Sequence, residues 1–262
     1  MRFTDRVALI TGAGTGIGAA TARRVVAEGG KVVLVGRRPV PLYEVAEQLG
    51  TSALVLPADA SDSAAMGAVV EQATAHFGRV DVIVANAGGH GLGAAGDTTD
   101  AGWRQALDAN LTSAFVTIRA ALPGLVNGGG SVVLVSSLAG LFAGPEVLGY
   151  TATKHALIGV TRSIARDYGK HGVRANAVCP GWVRTAMADE QMDRFGESRG
   201  LTREQAYDLV TENTPLGRPG TADEIANVIA FLASSDSAIV SGAVVTADAG
   251  ASAVDLPTIE LA

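Results

Sequence analysis

Apolar runs of strand length alternate with longer segments of helical periodicity from one end of the chain to the other. Each strand candidate is continuously apolar, as in Val7-Ala8-Leu9-Ile10, where an amphipathic strand would alternate apolar and polar positions. The strands are predicted at residues 7–11, 31–36, 53–56, 82–85, 131–135, 173–178 and 243–246. The helices are predicted from the turn after the first strand to about residue 28, and then at about 42–49, 63–77, 101–122, 150–168 and 223–233.

Continuously apolar strands indicate a sheet that is buried on both faces, and the alternation of strand and helix indicates parallel pairing. The pattern therefore predicts an α/β fold: a doubly wound parallel sheet of about seven strands with helices on both faces. No change of composition marks a linker, so residues 1–262 are expected to form a single domain. A mostly helical insert at about 186–221 interrupts the alternation, and we expect it to carry ligand contacts as a lid over the substrate.

The composition mainly excludes classes of function. The 262 residues are 48% hydrophobic and 18% charged with a net charge of −6, which favours neither nucleic-acid nor anionic-membrane binding. We find no signal-peptide pattern and no apolar stretch of the roughly 18 residues that a membrane span needs, so a cytoplasmic protein is expected. The one cysteine, Cys179, is expected to pack in the core, and the four histidines have no metal-ligand spacing, so no metal site is expected.

The segment Gly149-Tyr150-Thr151-Ala152-Thr153-Lys154 holds the most informative pair of polar side chains. On a helix, the spacing of four residues places Tyr150 and Lys154 on one face. A nearby ammonium favours the phenolate, so we expect the pKa of Tyr150 to fall below its reference of about 10. Such a tyrosine donates and accepts protons near neutral pH, which predicts acid–base chemistry. A pair on the surface of an ordinary helix is the alternative.

A glycine-rich turn follows the first strand directly and begins a helix. Gly12, Gly16 and Gly18 follow Thr11 with the spacing Gly-x-x-x-Gly-x-Gly. Glycines permit a sharp turn and let backbone N–H groups approach a pyrophosphate at the positive end of the helix. The context predicts a dinucleotide site, with a purely structural glycine turn as the alternative.

With the glycine turn near its start and Tyr-x-x-x-Lys in its middle, the chain resembles the short-chain dehydrogenase/reductases. Further motifs of that family follow in order, and their joint order is more specific than any one of them. They are Asn86-Ala87-Gly88 after the fourth strand, Asn110 in the long helix, Ser137 thirteen residues before Tyr150, Pro180-Gly181 after the sixth strand, Pro215-Leu216-Gly217-Arg218, and residues 223–234. Two segments depart from the family pattern, Ala85 and Ala247-Asp248-Ala249-Gly250, and neither includes these catalytic candidates.

The resemblance implies hydride transfer between a nicotinamide and a carbonyl carbon. It implies that Tyr150 is the general acid for reduction or the base for oxidation, and that Lys154 lowers its pKa and binds the nicotinamide ribose. Ser137 is expected to polarise the substrate oxygen, with Ser136 as the competing serine. Asn110 is expected to hold a water through a local helix irregularity, as part of a proton relay. The alternative is a sensor or scaffold that binds the cofactor without catalysis, which the presence of all four residues disfavours.

The second strand ends at Gly36, where NAD-binding members of the family usually carry an acidic residue. Arg37 and Arg38 follow, and an arginine here pairs with a 2′-phosphate, so NADP(H) is favoured and NAD(H) is the alternative. The alternative is that both arginines are solvated charges of a surface loop with no role in binding. Thr15 occupies the region where some NADP-binding relatives carry a basic residue.

The resemblance extends the cofactor contacts to several loops. Asp59 is expected at the adenine, with Ala60 contributing its backbone, and Val183 and Thr185 at the carboxamide and the pyrophosphate. The whole expected set is Gly12, Thr15, Gly16, Ile17, Gly18, Arg37, Arg38, Asp59, Ala60, Asn86, Ala87, Gly88, Tyr150, Lys154, Pro180, Gly181, Val183 and Thr185.

Three segments are the expected walls of the substrate pocket: residues 89–95, 138–148 and 182–210. Their apolar side chains predict a ketone or secondary alcohol with a largely apolar body, although each of them could equally be a core residue beneath the lid. These side chains are Leu141, Phe142, Val147, Leu148, Trp182, Met187, Met192 and Phe195.

The resemblance also implies a homotetramer. The helices around 101–122 and 150–168 are expected to pair across one interface, and the last helix and strand across another. The C-terminal tail, residues 251–262, is expected to pack on a neighbouring subunit through Leu256, Ile259 and Leu261.

Overall fold

The computed structural model describes the backbone of residues 1–261, and the side chains of these residues except 256, 260 and 261. Its strands are β1 (Val7–Thr11), β2 (Lys31–Gly36), β3 (Ala53–Pro57), β4 (Val82–Ala85), β5 (Gly130–Val135), β6 (Val173–Pro180), β7 (Val183–Arg184), β8 (Gly220–Thr221) and β9 (Val244–Ala247). Seven of them form one parallel sheet in the order β3-β2-β1-β4-β5-β6-β9. The predicted α/β fold with a seven-stranded parallel sheet is therefore confirmed.

Helices cover both faces of the sheet, because each strand interior is apolar on both sides. They are α1 (Gly16–Ala27), α2 (Pro39–Leu49), α3 (Ser63–Phe77), α4 (Asp100–Leu107), α5 (Ser113–Gly128), α6 (Leu148–Tyr168), α7 (Ala186–Glu197), α8 (Arg203–Thr211) and α9 (Ala222–Ala233). One core cluster joins α1, α2 and α9 to the sheet through residues such as Val25, Leu42 and Ile229. The other core cluster includes Met66 of α3 and Leu157 of α6.

The order of the strands reverses between β1 and β4. From β1 the chain winds outward through β2 to β3, and from β4 it winds the other way through β5 and β6 to β9. Connections on the two sides of this switch point leave in opposite directions, so a crevice opens at the carboxyl ends of β1 and β4. Ligands of open α/β sheets bind in such a crevice.

The long helix predicted at 101–122 is interrupted. Helical structure runs from residue 100 to 128, but Asp108–Thr112 form a π-helical turn between α4 and α5. One extra residue in a turn leaves no trace in apolar periodicity, so the pattern predicted a continuous helix. The helix irregularity that the resemblance implied at Asn110 is present.

The predicted helical insert contains α7 and α8 and stands on a stem that the sequence pattern did not reveal. β7 and β8 pair in parallel, Val183 with Gly220 and Arg184 with Thr221. The chain therefore leaves for the insert and returns from it at one point. A ribbon of two residues per strand is too short to produce a periodic signal.

One helical stretch, residues 100–128, is long and apolar enough to span a membrane by length and composition, with a mean hydropathy of 1.2. The expectation that no such stretch exists was therefore wrong. The most apolar window of this stretch is 44% buried, and Val116, Ile118 and Leu125 belong to the core cluster on one face of the sheet. The stretch is a core helix of this fold.

Candidate active site

The crevice collects sequence segments that lie far apart along the chain. The glycine turn follows β1, Asn86 follows β4, Ser137 follows β5 and Gly181 follows β6. The first turn of α6 joins the same edge, because the Tyr150 backbone N–H donates to Gly91 O at 3.2 Å. The parallel sheet thus places the nucleotide-binding and acid–base candidates side by side.

The turn after β1 depends on glycine. Gly12 and Gly16 adopt positive φ values of 64° and 52°, a region that favours glycine. A Cβ at Gly18 would stand 2.3 Å from the carbonyl oxygen of Gly12, so α1 packs against the turn more closely than any side chain allows. In the described part of the chain, the Thr15 side chain makes no capping bond and the first turn of α1 holds no acidic residue. Its backbone donors therefore fit a pyrophosphate.

Asn86 stabilises this turn from the neighbouring strand. Its Nδ2 donates to Thr11 O at 2.9 Å and to Gly12 O at 3.3 Å. Thr11 Oγ1 in turn accepts from the N–H groups of Asn86 and Ala87, at 3.1 and 3.0 Å. The amide of Asn86 is thus committed to holding the glycine turn beside Gly88.

The start of α7 lies against the glycine turn. Thr185 is the N-cap of α7, and its Oγ1 accepts from Ala188 N at 3.3 Å. A Cβ at Gly16 would stand 3.1 Å from Thr185 Cγ2. Gly181, after β6, is equally close to the chain beyond β9, since its Cβ would stand 3.0 Å from Asp248 Cα. The helical insert therefore begins directly beside the candidate pyrophosphate site.

The two adjacent serines after β5 have different surroundings. Ser136 is buried, and its Oγ donates to Lys154 O at 2.8 Å, which ties the loop to α6. Ser137 is partly exposed, and its Oγ accepts from Ala139 N at 3.1 Å. Its hydroxyl proton remains available to another acceptor. The geometry thus distinguishes a structural serine from one that faces the site.

Tyr150 and Lys154 share a face of α6, as their spacing predicts, but their electrostatics differ from the expectation. Lys154 Nζ donates to Val135 O at 2.9 Å and lies 5.4 Å from the centroid of the Tyr150 ring. Burial raises the pKa of Tyr150, while the Ser137 hydroxyl acts in the opposite direction. Burial also lowers the pKa of Lys154 to about 8. The expected lowering of the Tyr150 pKa by Lys154 is therefore wrong for the chain alone, because burial raises this pKa and Lys154 is not among the groups that shift it.

Asn110 lies in the π-helical turn and is fully buried. Its Nδ2 donates to Ala106 O at 3.0 Å, and its Oδ1 accepts from Gly89 N at 3.1 Å. A Cβ at Gly88 would stand 3.0 Å from Asn110 Oδ1 and 3.6 Å from Lys154 Nζ. Gly88 therefore lets the asparagine and the lysine approach the same point.

Arg37 and Arg38 are exposed immediately after β2. Asp59 is exposed after β3, where Ser61 donates to its Oδ1 from the backbone at 2.9 Å and from the hydroxyl at 2.8 Å. These bonds, with a smaller effect of the Arg37 charge, lower the pKa of Asp59. Ala60 is buried behind it. A cation and a carboxylate thus flank the end of the crevice where an adenosine would lie.

The apolar side chains expected to line the substrate pocket fall into two groups, one exposed at the surface and one packed in the core of the insert. Leu141, Phe142, Leu148 and Met187 are exposed large apolar side chains, as is Leu92 of the neighbouring loop. By contrast, Met192 is buried in a small cluster with Ala206 and Tyr207, and Trp182 and Phe195 pack against that cluster. These three belong to the core of the insert, because α8 folds back on α7.

Sequence reasoning missed several contacts that shape the site. The carbonyl of Val135 holds Lys154, and a Cβ at Gly140 would stand 2.4 Å from Ser136 Oγ. Both are non-local contacts without a sequence signal. Among the side chains that the structure describes, no group of three or more His, Cys, Asp or Glu is arranged to hold a metal ion.

The chain is similar to known proteins over nearly its whole length. Residues 12–252 match the family described as enoyl-(acyl carrier protein) reductase. Protein MoaE of Klebsiella aerogenes is 47% identical over 257 residues, which cover 98% of this chain and 99% of MoaE. Meso-2,3-butanediol dehydrogenase of Serratia marcescens is 36% identical over 256 residues, covering 97% and 98%. The crystal structure of levodione reductase matches with a TM-score of 0.91 at 36% identity, covering 97% of this chain and 100% of that one.

Proposed function

Because the chain belongs to the short-chain dehydrogenase/reductase family, NAD(P)-dependent oxidoreductases that act on alcohols and carbonyl compounds, we propose that it is an NADP(H)-preferring member. In this proposal it reduces a ketone, or oxidises the corresponding secondary alcohol, with Tyr150 as the acid–base group. The observation that carries the proposal is the convergence of Ser137, Tyr150, Lys154 and Asn110 beside the glycine turn.

Each of the four side chains has a separate task. Tyr150 donates its proton to the substrate oxygen in reduction and accepts it in oxidation. The Ser137 hydroxyl, whose proton is available, holds and polarises the same oxygen. Lys154, with a pKa of about 8, carries its charge at neutral pH and is held in place by Val135 O. Asn110 keeps the π-helical turn closed against Gly89 and supports the route by which the proton is replaced.

The residues present fit a nicotinamide dinucleotide, which supplies or accepts the hydride. The uncapped start of α1 would hold the pyrophosphate, and Asp59 would hold the adenine. Thr185, beside Gly16, would contact the pyrophosphate and the carboxamide. Arg37 supports the preference for NADP(H), because its exposed guanidinium follows β2, where a 2′-phosphate would lie.

The exposed apolar side chains support a substrate with a hydrophobic body. Leu92, Leu141 and Phe142, on two loops that are expected substrate walls, have exposed fractions of 51%, 36% and 54%. Two of the relatives are a meso-2,3-butanediol dehydrogenase and a levodione reductase, whose names refer to a small alcohol and a small ketone. We extend that class to this chain.

Exposed apolar residues on two helical surfaces support a homotetramer. Trp103 on α4 and Phe115 on α5 are 36% and 48% exposed, and Phe231 on α9 is 41% exposed. The first two lie on the helices expected at one interface and the third on the helix expected at the other. The C-terminal tail is expected to make its contact through Leu256, Ile259 and Leu261. The side chains of Leu256 and Leu261 lie outside the described residues, and Ile259 is partly exposed. We also propose a cytoplasmic location.

The first experiment is a fluorescence titration of the purified protein with NADPH and, in parallel, with NADH. Tighter binding of NADPH supports the cofactor preference, whereas preference for NADH would show that Arg37 does not bind the 2′-phosphate. Binding of neither nucleotide would contradict the proposed function. Turnover of a panel of ketones then separates an enzyme from a sensor that only binds the cofactor.

A further inference from the structure

A small cavity lies between two loops at the start of α6. Its volume is about 210 Å³, comparable to that of a compact cyclic organic molecule. Its lining is mostly small and apolar. The lining residues are Gly93, Ala94, Ala95, Ala143, Gly144, Glu146, Val147, Leu148 and Thr151.

The walls of this cavity are held together by backbone hydrogen bonds. Gly93 N donates to Glu146 O at 2.7 Å, and Leu148 N donates to Gly93 O at 3.1 Å, which forms a parallel bridge between Gly93 and Val147. Both loops belong to the expected substrate walls. Thr151, which also lines the cavity, directly follows the candidate acid–base residue Tyr150 on α6.

Thr151, one of the lining residues, carries an unusual hydroxyl. Among the residues that the structure describes, its Oγ1 is the buried side-chain polar atom without a hydrogen-bond partner. Buried polar groups are nearly always paired, so an unpaired one calls for an explanation.

Other buried threonines in the helices behave differently. Each donates its hydroxyl to the carbonyl oxygen four residues earlier, at 2.7 to 2.8 Å; they are Thr21, Thr117, Thr153, Thr161 and Thr211. Threonine in a helix has two accessible χ1 rotamers, which exchange its hydroxyl and its methyl group. Because Thr151 has no such bond to lose, its hydroxyl can turn into the cavity and bind a ligand without breaking an existing interaction.

An oxygen bound to Thr151 would not be the oxygen that reacts. Tyr150 and Thr151 are neighbours, and successive residues of a helix point about 100° apart, so their hydroxyls approach a ligand from different sides. Neither Tyr150 nor Ser137 lines the cavity. A single ligand that meets both hydroxyls therefore needs two oxygens.

The charge at the rim restricts the second oxygen further. Glu146 is the charged residue of the cavity lining, and its side chain is exposed at the surface. A second carboxylate on the ligand would be repelled, so the second oxygen belongs to an uncharged hydroxyl or carbonyl.

We infer that Thr151 is a specificity-determining residue for a substrate with two uncharged oxygens: a hydroxyketone, a diketone or the corresponding diol. One oxygen reacts at Tyr150, and the second is bound by Thr151 in the small cavity. This inference rests on the proposed function of the same site. It adds the class of substrate that the site prefers.

The test compares three ketones that differ in a second oxygen: cyclohexanone, 2-hydroxycyclohexanone and 4-hydroxycyclohexanone. The readout is the ratio of kcat/KM for each hydroxyketone to that for cyclohexanone, with the nicotinamide that the protein binds better. The wild type should prefer one of the hydroxyketones, and Thr151→Val should reduce this ratio about tenfold, as expected for one lost hydrogen bond. Turnover of cyclohexanone should stay within about twofold, which also shows that the variant is folded.

Three further variants sharpen the test. Thr151→Ser keeps a hydroxyl and should keep the preference. Thr161→Val removes a buried hydroxyl from the same helix that is bonded to Leu157 O, and should also leave the ratio unchanged. Ala94→Leu fills the cavity and should remove the preference even if Thr151→Val does not fold.

Other outcomes would overturn the inference. They are a wild type without preference for either hydroxyketone, an unchanged ratio in Thr151→Val, or no turnover of the three ketones by a protein that binds nicotinamide. In the first two cases the turnover of the ketones still supports the proposed function, whereas in the third the titration supports only the cofactor site. Failure to bind either nicotinamide would contradict both.

Discussion

Lys154 Nζ donates a hydrogen bond to the carbonyl oxygen of Val135 at 2.9 Å, which joins the middle of α6 to the last residue of β5. Lys154 is only 4% exposed, so its ammonium depends on this carbonyl in place of water. The cost of burying the charge is the origin of the lowered pKa of about 8.

This burial predicts how stability depends on pH. Folding lowers the pKa of Lys154 from 10.5 to about 8, so between these values the unfolded chain binds more protons and stability rises with pH. Between about pH 7.5 and 9.5, the wild type should gain about 1–2 kcal/mol in free energy of unfolding relative to Lys154→Met. Urea denaturation of both proteins at the two pH values measures the difference. Parallel pH dependences would show that Lys154 is not buried as a cation.

Replacing Tyr150 by Phe should abolish turnover and leave cofactor affinity within about twofold. The phenyl ring keeps the packing and removes the proton that is transferred, a loss of at least about 10²-fold. Steady-state kinetics and a nucleotide titration measure the two quantities. Tyr168→Phe, at the far end of α6, is the matched control and should remain active. More than a few per cent of wild-type activity in Tyr150→Phe would refute the acid–base assignment.

Arg37→Ala should weaken NADPH binding and leave NADH binding unchanged. An arginine–phosphate pair contributes about 1.5–3 kcal/mol, so the Kd for NADPH should rise about 10- to 100-fold. Arg23→Ala removes an exposed arginine of α1 as a control. Equal effects on both nucleotides would show that Arg37 acts through the general charge of the surface, without recognising the 2′-phosphate.

Gly140→Ala should separate the serine loop from α6. Its Cβ would stand 2.4 Å from Ser136 Oγ and 2.8 Å from Lys154 O, so we expect a loss of about 1–3 kcal/mol in the free energy of unfolding, with reduced turnover. Gly159→Ala, within α6, is the control, because a Cβ at this position meets nothing within 4 Å. This variant should be stabilised by roughly 0.5–1 kcal/mol. Equal stabilities of the two variants would contradict the close packing around Ser136.

Phe115→Asp should reduce the size of the assembly. Phe115 is 48% exposed on α5 beside Arg119, and in the proposed interface a charge at this apolar position opposes pairing of the helices. Gel filtration with light scattering should show a tetrameric wild type and a smaller variant. A wild type that elutes only as a monomer would refute the proposed assembly.

The sequence by itself determined the layered fold. Continuous apolar runs such as Val32–Leu34 and Val132–Leu134 predict buried parallel strands, because each residue of such a strand is buried on one face or the other. The spacing of Gly12, Gly16 and Gly18 after β1 placed the dinucleotide turn, and the interval between Tyr150 and Lys154 placed both on one helix face. These features are local, so periodicity and spacing are enough to reveal them.

Only the tertiary structure decided the orientation and burial of the side chains at the candidate site. It turned Ser136 toward α6 and left Ser137 facing the crevice, and it assigned Met192 to the core of the insert. It also raised the pKa of Tyr150, where the spacing of Lys154 predicted a decrease. Burial and non-local hydrogen bonds set these outcomes, and both depend on residues that the fold brings together from distant parts of the chain.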